Sequence, residues 1–538
     1  MNIVQHLAEP ATRHPQRIAL IDADATSTAG GRLAVTYGEL WQRVRRVAGG
    51  LLARGLKNGD RVALLMPNSL EYVESFLGIA AAGLVTVPMN IRLLESELLH
   101  MLKDSGARLL IAQDVLFTDR EALVGVTELG VAVMRAAGPL AAPKFPFESL
   151  TDAVPINPVD KAPGDLASLM YTSGTTGLPK GVMLPHRSWT AVADETRRLL
   201  EYGDAEITLH AAPLTHGAGF MLLPTLANAG TNIVISRFEP ARVLQLMRAE
   251  RVTNSFLVPS MIQMLLDTPD PDAARASSNS VSHSVSIGTG SHPDLKTIYY
   301  AGSPIDPGTL KGALARFGLA LVQSFGQMES PMFFTLMDRR DHARIADGSA
   351  AHLIRSAGRA IPGVKVRIVD DDGSDLPQGE AGEIAVQAPQ TMLGYWNRPE
   401  ATAESIRNGW LHTGDVGRFD ADGYLYIVDR KKDMIISGGS NVYAREVEEA
   451  LLGLKGIKEA AVIGLPHPKW GEMVTAVLVS ESGASIDDAT LIDYCRSHLP
   501  DYRRPKRFTW IASLPRNAYG KVLKRELRKN LLEADAKT

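Results

Sequence analysis

The chain has 538 residues, with 57 lysines and arginines against 60 aspartates and glutamates, a net charge of −3. Hydrophobic residues make up 45% and charged residues 22%, ordinary values for a globular chain that exclude wholesale disorder. Near-neutral charge gives no electrostatic footprint for nucleic acid or an anionic membrane, and one cysteine, Cys495, excludes an internal disulfide or a cysteine-cluster metal site and fits a cytoplasmic location.

At about 150 residues per domain, the length suggests three or four folding units. The first twenty residues contain Glu9, Arg13, His14, Pro15 and Arg17 and lack the apolar stretch of a secretory signal. No apolar run approaches the roughly 20 residues that span a bilayer, so no integral membrane segment is expected. Gly78 to Met89 reads as a helix end running into a buried strand.

In chain order, Arg61 to Met66 reads as a buried strand stopped by Pro67-Asn68-Ser69. Asn68 with Glu71 three residues on predicts a capping box. Tyr72, Phe76, Ile79 and Ala80 then fall at helical spacing. Strands follow at Val85-Thr86-Val87, Leu109 to Ile111, Asn232 to Ile235 and Ser255 to Val258. Strands alternating with helices predict α/β layers with substantial parallel sheet. Ala136 to Pro158 carries five prolines and reads as a link between subdomains. Ala274 to His292 is rich in Ser, Gly and Thr and reads as a surface loop. Past Pro362, strands Lys365 to Val369 and Glu383 to Val386 flank the turn signal Asp370-Asp371-Asp372-Gly373, which predicts a β-rich subdomain. A helix at Arg445 to Leu452 and strands at Ala461 to Gly464 and Val474 to Val479 predict a small separate α+β unit.

The densest chemical signal is Tyr171-Thr172-Ser173-Gly174-Thr175-Thr176-Gly177-Leu178-Pro179-Lys180-Gly181, directly after a strand at Leu166 to Met170. Its glycines allow close backbone approach to a ligand, and its hydroxyls and lysine supply donors for phosphate oxygens. A Walker A loop is excluded, because no Gly-Lys-Ser/Thr stands at the required spacing. A serine hydrolase is disfavoured by the lack of a Gly-x-Ser-x-Gly elbow.

This segment resembles the signature loop of the adenylate-forming superfamily, which includes acyl-CoA synthetases, nonribosomal adenylation domains and beetle luciferases. Further matching motifs follow in order over nearly the whole chain. The resemblance implies a large N-terminal adenylate-forming domain over 1–429, built from two α/β layered subdomains and a β-rich one. It implies a small mobile α+β lid over 430–538.

The resemblance also assigns expected roles. Thr172, Ser173, Gly174, Thr175, Thr176, Gly177 and Lys180 would hold the phosphates of ATP. Pro213-Leu214-Thr215-His216-Gly217 is similar to an element whose histidine lies beside the carboxylate. His216, Gly217, Gly219, Tyr300, Ala301 and Gln327 would line the acyl pocket. Gly302 and Ser303 follow in the turn under the adenine. In Gln323-Ser324-Phe325-Gly326-Gln327-Met328-Glu329, Phe325 would stack on adenine, and Glu329, with Thr172 nearby, would hold Mg2+. Phe325 stands where a tyrosine is usual. Met328 replaces a threonine whose hydroxyl usually bonds the phosphate, a hydrogen bond of about 0.5–1.5 kcal/mol.

Asp415, in Trp410 to Asp415, would accept hydrogen bonds from the ribose, with Arg430 beside it. Lys432 occupies the hinge position. Gly438 and Gly439 match the thioester-forming loop, and Trp470 matches a segment bordering coenzyme A; surface packing fits Trp470 equally. Lys521, in Leu514 to Lys521, matches the catalytic lysine. Tyr519 stands where a small hydroxyl residue is usual.

The implied reaction is ATP-dependent ligation of a carboxylic acid (fatty, aryl or alicyclic) to coenzyme A through an acyl-AMP intermediate, with Mg2+ as cofactor. Two alternatives stay open. One is an acyl-AMP ligase delivering to a carrier protein; with Lys521 so near Thr538, no fused carrier is expected. The other is a catalytically weakened acyl- or nucleotide-binding homologue, motivated by Met328. The oligomeric state is not readable from sequence, and a homodimer stays open.

Overall fold

The computed structural model describes residues 1–26, 32–113, 132–136, 145–172, 179–269, 292–481, 486–517 and 522–535. Ser173, Gly174, Thr175, Thr176, Gly177 and Lys521 lie outside the described residues, as does the Ser-rich stretch up to residue 291. The chain divides into two compact units: Met1–Val366 with Val386–Leu411, and Arg367–Ala385 with His412–Thr538. No helix among the described residues is long and apolar enough to cross a membrane.

The alternating pattern folds into two sheets in the first unit. One has seven strands, ordered Phe145–Pro146, Ala132–Ala136, Leu109–Gln113, Arg61–Leu65, Val85–Pro88, Leu166–Thr172 and Lys180–Pro185. All neighbours are parallel except the last hairpin. Val62 to Leu65 are fully buried, as expected of a parallel strand covered on both faces. The other sheet has nine strands, with the parallel set Leu321–Gln327, Thr297–Tyr300, Asn254–Leu257, Ile207–His210, Thr231–Val234 and Ile18–Thr26 at its centre. Antiparallel strands close it: Ser330–Met337 and Arg359–Ala360 on one side, Arg32–Thr36 on the other.

The strand and helix around Asn68 form where the sequence places them, but the cap differs. The helix Leu70–Ala81 is capped by Ser69, whose hydroxyl accepts the Tyr72 N–H at 3.2 Å. Asn68 instead reaches across the unit. Its amide donates to the carbonyls of His210 (3.1 Å) and Ala212 (2.9 Å), and its oxygen accepts the Leu214 N–H at 2.8 Å. The helix runs into the strand Val85–Pro88 through Gly83 at φ +73°, a left-handed turn position that suits glycine.

The proline-rich link carries more structure than its composition suggests. It includes the short strand Phe145–Pro146 and the helical turn Glu148–Thr151.

In the second unit, strands Gly382–Gln387, Trp410–Phe419 and Leu425–Arg430 belong to the expected β-rich sheet; the unit boundary crosses the first two. The C-terminal sheet runs Ser440–Val442, Ile435–Ser437, Gly471–Ser480 and Ile457–His467, with Arg507–Trp510 beside Gly471–Ser480. Its two long strands exceed the expected ones, because pairing continues through Pro466↔Glu472 to His467↔Gly471. Successive residues point to opposite faces. Val462 packs with Ile435, Val447, Leu478 and Leu491 on one face, and Ile463 with Leu465, Val477, Leu527 and Leu531 on the other.

Candidate active site

The candidate residues fall into two groups, one in each compact unit. In the first unit, Thr172 ends the strand Leu166–Thr172 and pairs in register with Lys180, the first residue of Lys180–Pro185. These two residues flank the Gly- and Thr-rich stretch of the sequence. Beneath them, Tyr171 donates its hydroxyl to Asp104 at 2.7 Å. Arg398 reaches the other Asp104 oxygen at 2.9 Å, and the Trp396 indole donates to the Asp104 carbonyl at 3.0 Å. A Cβ on Gly181 would lie 3.1 Å from the Tyr171 ring.

Glu329 stands with Met328 at the tip of a two-residue turn, between the paired residues Gln327 and Ser330. The strand leading there, Leu321–Gln327, carries Gln323, Ser324, Phe325 and Gly326. Gly326 marks a register irregularity where a Cβ would lie 2.5 Å from the Met332 carbonyl oxygen, so only glycine fits without moving the backbone. Ser324 is buried; its hydroxyl donates to that same carbonyl at 2.6 Å and also bonds the Tyr299 hydroxyl. Phe325 is half-buried and meets Phe334 edge-on at 5.2 Å.

A segment absent from the sequence-based set joins these parts. Main-chain bonds run from Met392 N–H to the Glu329 carbonyl, from Leu393 N–H to Met183, and from Trp396 N–H to Gly181, all at 2.8–2.9 Å. Between them, the Tyr395 hydroxyl donates to Glu329 Oε1 at 2.7 Å, and its ring lies 5.1 Å from the Lys180 ammonium. The structure therefore brings Thr172, Lys180 and Glu329 into one constellation through Tyr395. The sequence signal was Gly394-Tyr395-Trp396, an aromatic pair following a glycine at φ +143°.

The acyl-pocket candidates divide by strand parity. His216 leads into the 3-10 turn Gly217–Met221, and burial pushes its imidazole pKa down to about 4, so it is neutral at pH 7. A Cβ on Gly217 would lie 2.8 Å from the Phe256 ring, and one on Gly219 would collide with the Leu214 carbonyl. Phe256 meets Tyr299 edge-on at 5.4 Å. Tyr299 thus shares the face carrying Gly217. Tyr300, one residue on, points the other way: it is fully buried, with its hydroxyl 2.9 Å from His342 Nε2. Ala301, Gly302 at φ +90° and the exposed Ser303 follow it in the turn. Gln327 is half-buried at the end of its strand.

In the second unit, Asp415 and Arg430 are cross-strand partners, with the guanidinium Nε 3.3 Å from a carboxylate that is nearly buried. Lys432 lies in the 3-10 turn Lys431–Asp433, where burial lowers its amine pKa. Its neighbour Lys431 is paired with Asp371 at 2.7 Å and Glu383 at 3.2 Å. Gly438 (φ +59°) and Gly439 (φ +81°) form the two-residue turn between Ile435–Ser437 and Ser440–Val442. Gly438 N–H donates to the Trp470 carbonyl at 2.8 Å. Trp470 stacks on His467 at 4.5 Å, with the ammonium groups of Lys469 and Lys506 within 6 Å of its ring. Arg516 and Val522, on either side of Lys521 in the sequence, form an isolated antiparallel bridge.

The oxygen donors fit magnesium. That ion takes one or two carboxylates, substrate phosphates and several waters, and Glu329 with the Thr172 hydroxyl offers such a set. Among the described residues no group of three or more His, Cys, Asp or Glu could form a protein cage for a metal.

Comparisons with known proteins agree with this organisation. The feruloyl-CoA synthase of Amycolatopsis sp is 40% identical over 517 residues, covering 96% of this chain and 98% of the relative. The fatty acid–acyl-carrier-protein ligase ScoC of Streptomyces coeruleorubidus is 36% identical over 499 residues, covering 92% and 91%. The o-succinylbenzoate CoA synthetase structure from Bacillus subtilis, in complex with its acyl-adenylate intermediate, superposes with a TM-score of 0.81 at 30% identity, covering 97% of each chain. Residues 7–396 match the AMP-binding enzyme family and residues 446–521 its C-terminal domain, and the chain belongs to that family.

Proposed function

We infer that the chain is an AMP-forming acid–CoA ligase: it activates a carboxylic acid with ATP as acyl-AMP, releasing pyrophosphate, and transfers the acyl group to the thiol of coenzyme A. The observation that carries this reading is the Thr172–Lys180–Tyr395–Glu329 constellation, which flanks the Gly- and Thr-rich stretch of the sequence, within a chain that matches CoA ligases along nearly its full length.

Adenylation asks a carboxylate to attack the α-phosphate of a polyanion. Two like unit charges 4 Å apart repel by about 4 kcal/mol at an effective dielectric of 20. Mg2+ would supply Lewis-acid stabilisation of the phosphate charge at Glu329 and Thr172. Lys180 and the hydroxyls of Thr172, Ser173, Thr175 and Thr176 bind the pyrophosphate end. Phe325 and the turn Gly302-Ser303 hold the adenine, and Asp415 with Arg430 holds the ribose. Neutral His216 accepts or donates a hydrogen bond beside the acid without adding charge. Lys521 offsets the charge that builds at the reacting carboxylate and α-phosphate. In the second step residues 430–538 rotate about Lys432, withdraw Lys521 and present Gly438-Gly439, with Trp470 against the CoA nucleotide. A cytoplasmic location suits the single buried thiol, Cys495.

The acid is proposed to be an aromatic monocarboxylic acid. The small residue Gly217 faces the aromatic ring of Phe256, which meets Tyr299 edge-on, and a 40% identical relative is a feruloyl-CoA synthase. Transfer to a carrier protein is the second reading, favoured by the likeness to the acyl-carrier-protein ligase.

The test is AMP formation with a panel of hydroxycinnamic, benzoic and fatty acids, with and without CoA. The proposal expects CoA-dependent AMP release with the aromatic acids. AMP formation that CoA does not accelerate would favour the carrier protein, and no pyrophosphate release with any acid would overturn both. Lys521→Ala should slow adenylate formation about 10²–10³-fold, the scale for one transition-state donor, while thioester formation from supplied acyl-adenylate survives. An equal fall in both steps in a folded variant would remove the division of labour.

A further inference from the structure

Tyr395 touches two of the groups on which the functional reading depends. It sits half-buried on the segment that laces the strand Lys180–Pro185 to the Met328-Glu329 turn. Its backbone is fixed on both sides: its N–H donates to Thr402 Oγ1 at 2.9 Å, and it forms an isolated antiparallel bridge with Val182. A hydroxyl and a ring face held that firmly can set the position of whatever they contact.

The two contacts differ in kind. The hydroxyl donates to Glu329 Oε1 at 2.7 Å, a charge-assisted bond that fixes the carboxylate rotamer and occupies one oxygen. The ring face meets the Lys180 ammonium at 5.1 Å, within the range of a cation–π contact.

We propose that Tyr395 is a positioning residue for adenylation: its hydroxyl orients Glu329 toward the magnesium ion while its ring holds the Lys180 ammonium toward the phosphates. This rests on the ligase reading above, and it predicts that the two contacts can be separated by substitution. Tyr395→Phe removes the hydroxyl and keeps the ring. Tyr395→Leu removes both.

The experiment is calorimetric binding of ATP to the full chain, without acid so that nothing turns over, in Mg2+ and in EDTA. Tyr395→Phe should raise the Mg2+ concentration that half-maximally tightens ATP binding by about tenfold, the scale of one hydrogen bond to a charged group. Its ATP affinity in EDTA should stay at the wild-type value. Tyr395→Leu should in addition weaken ATP binding in EDTA by about two- to fivefold, the scale of a cation–π contact.

A double-mutant cycle separates positioning from packing: in a Glu329→Gln background, Tyr395→Phe should leave the Mg2+ dependence where Glu329→Gln alone puts it. Thermal melting of each variant checks that the fold is retained. Wild-type Mg2+ dependence in Tyr395→Phe, equal weakening with and without Mg2+, or additivity with Glu329→Gln would each overturn the proposal. If the wild-type chain itself showed no Mg2+-dependent ATP binding, the ligase reading would fail instead.

Discussion

His186 and His210 show how far single side chains commit this molecule to a pH range. His186 is fully buried and accepts the Ile3 N–H at Nδ1 (3.2 Å). His210 is 1% exposed, with Nε2 2.7 Å from Asn232 Oδ1. Burial pushes both imidazole pKa values down to about 4, from the ordinary histidine value of about 6.5. The unfolded chain binds these protons first, so below pH 6.5 unfolding takes up protons and stability falls as pH falls toward 4. Each histidine contributes a slope of about 1.4 kcal/mol per pH unit across that window. Urea midpoints should therefore drop between pH 7 and pH 5, and His210→Gln should flatten that dependence by one proton. An unchanged slope in the variant would mean that His210 is already charged in the native state.

At the scale of elements, local pattern located the helix Leu70–Ala81 but not its cap. Asn68 and Ser69 are both good capping residues. What separates them is a tertiary demand: the buried carbonyls of His210 and Ala212 and the Leu214 N–H need partners, and Asn68 supplies all three. The same limit explains the tyrosines. Sequence alternation says that Tyr299 and Tyr300 face opposite sides, but only the sheet neighbours say which side carries Gly217 and Phe256. Tyr395 was missed for a related reason, since its partners Glu329 and Lys180 lie 66 and 215 residues away. The strand end at Thr172, the strand start at Lys180 and the turn at Glu329 were legible because each lies in a contiguous sequence pattern. Asn68→Ala should cost about 2–4 kcal/mol, three buried hydrogen bonds at about 1 kcal/mol each. It should also raise the KM for the acid, because the loop Pro213 to His216 loses its anchor. Ser69→Ala should cost only about 1 kcal/mol and leave KM unchanged. Chemical denaturation and steady-state kinetics on the pair decide this, and the reverse order of costs would return the cap to Asn68.

At the scale of the whole molecule, the proposed two-step reaction needs the same chain to present first Lys521 and then Gly438-Gly439. The residues around the expected pivot are held unequally. Arg430 is tied to Asp415, and Lys431 to Asp371 and Glu383. Lys432, next in line, sits in a single 3-10 turn with an amine whose pKa burial lowers. A rotation about one residue is a change in its φ and ψ, so fixing φ should trap one arrangement. Proline holds φ near −65°, within the range of a 3-10 turn such as Lys431–Asp433. The expected outcome is a split: one half-reaction proceeds within a few-fold of wild type while the other slows by more than tenfold, about 1.4 kcal/mol on the barrier. Lys432→Ala, which removes the amine but leaves φ free, should affect both steps mildly. Pyrophosphate release measures the first step, and CoA thioester formation from supplied acyl-adenylate measures the second. If Lys432→Pro leaves both steps untouched, the pivot lies elsewhere; if it slows both alike, residue 432 supports the fold and not the exchange between the two steps.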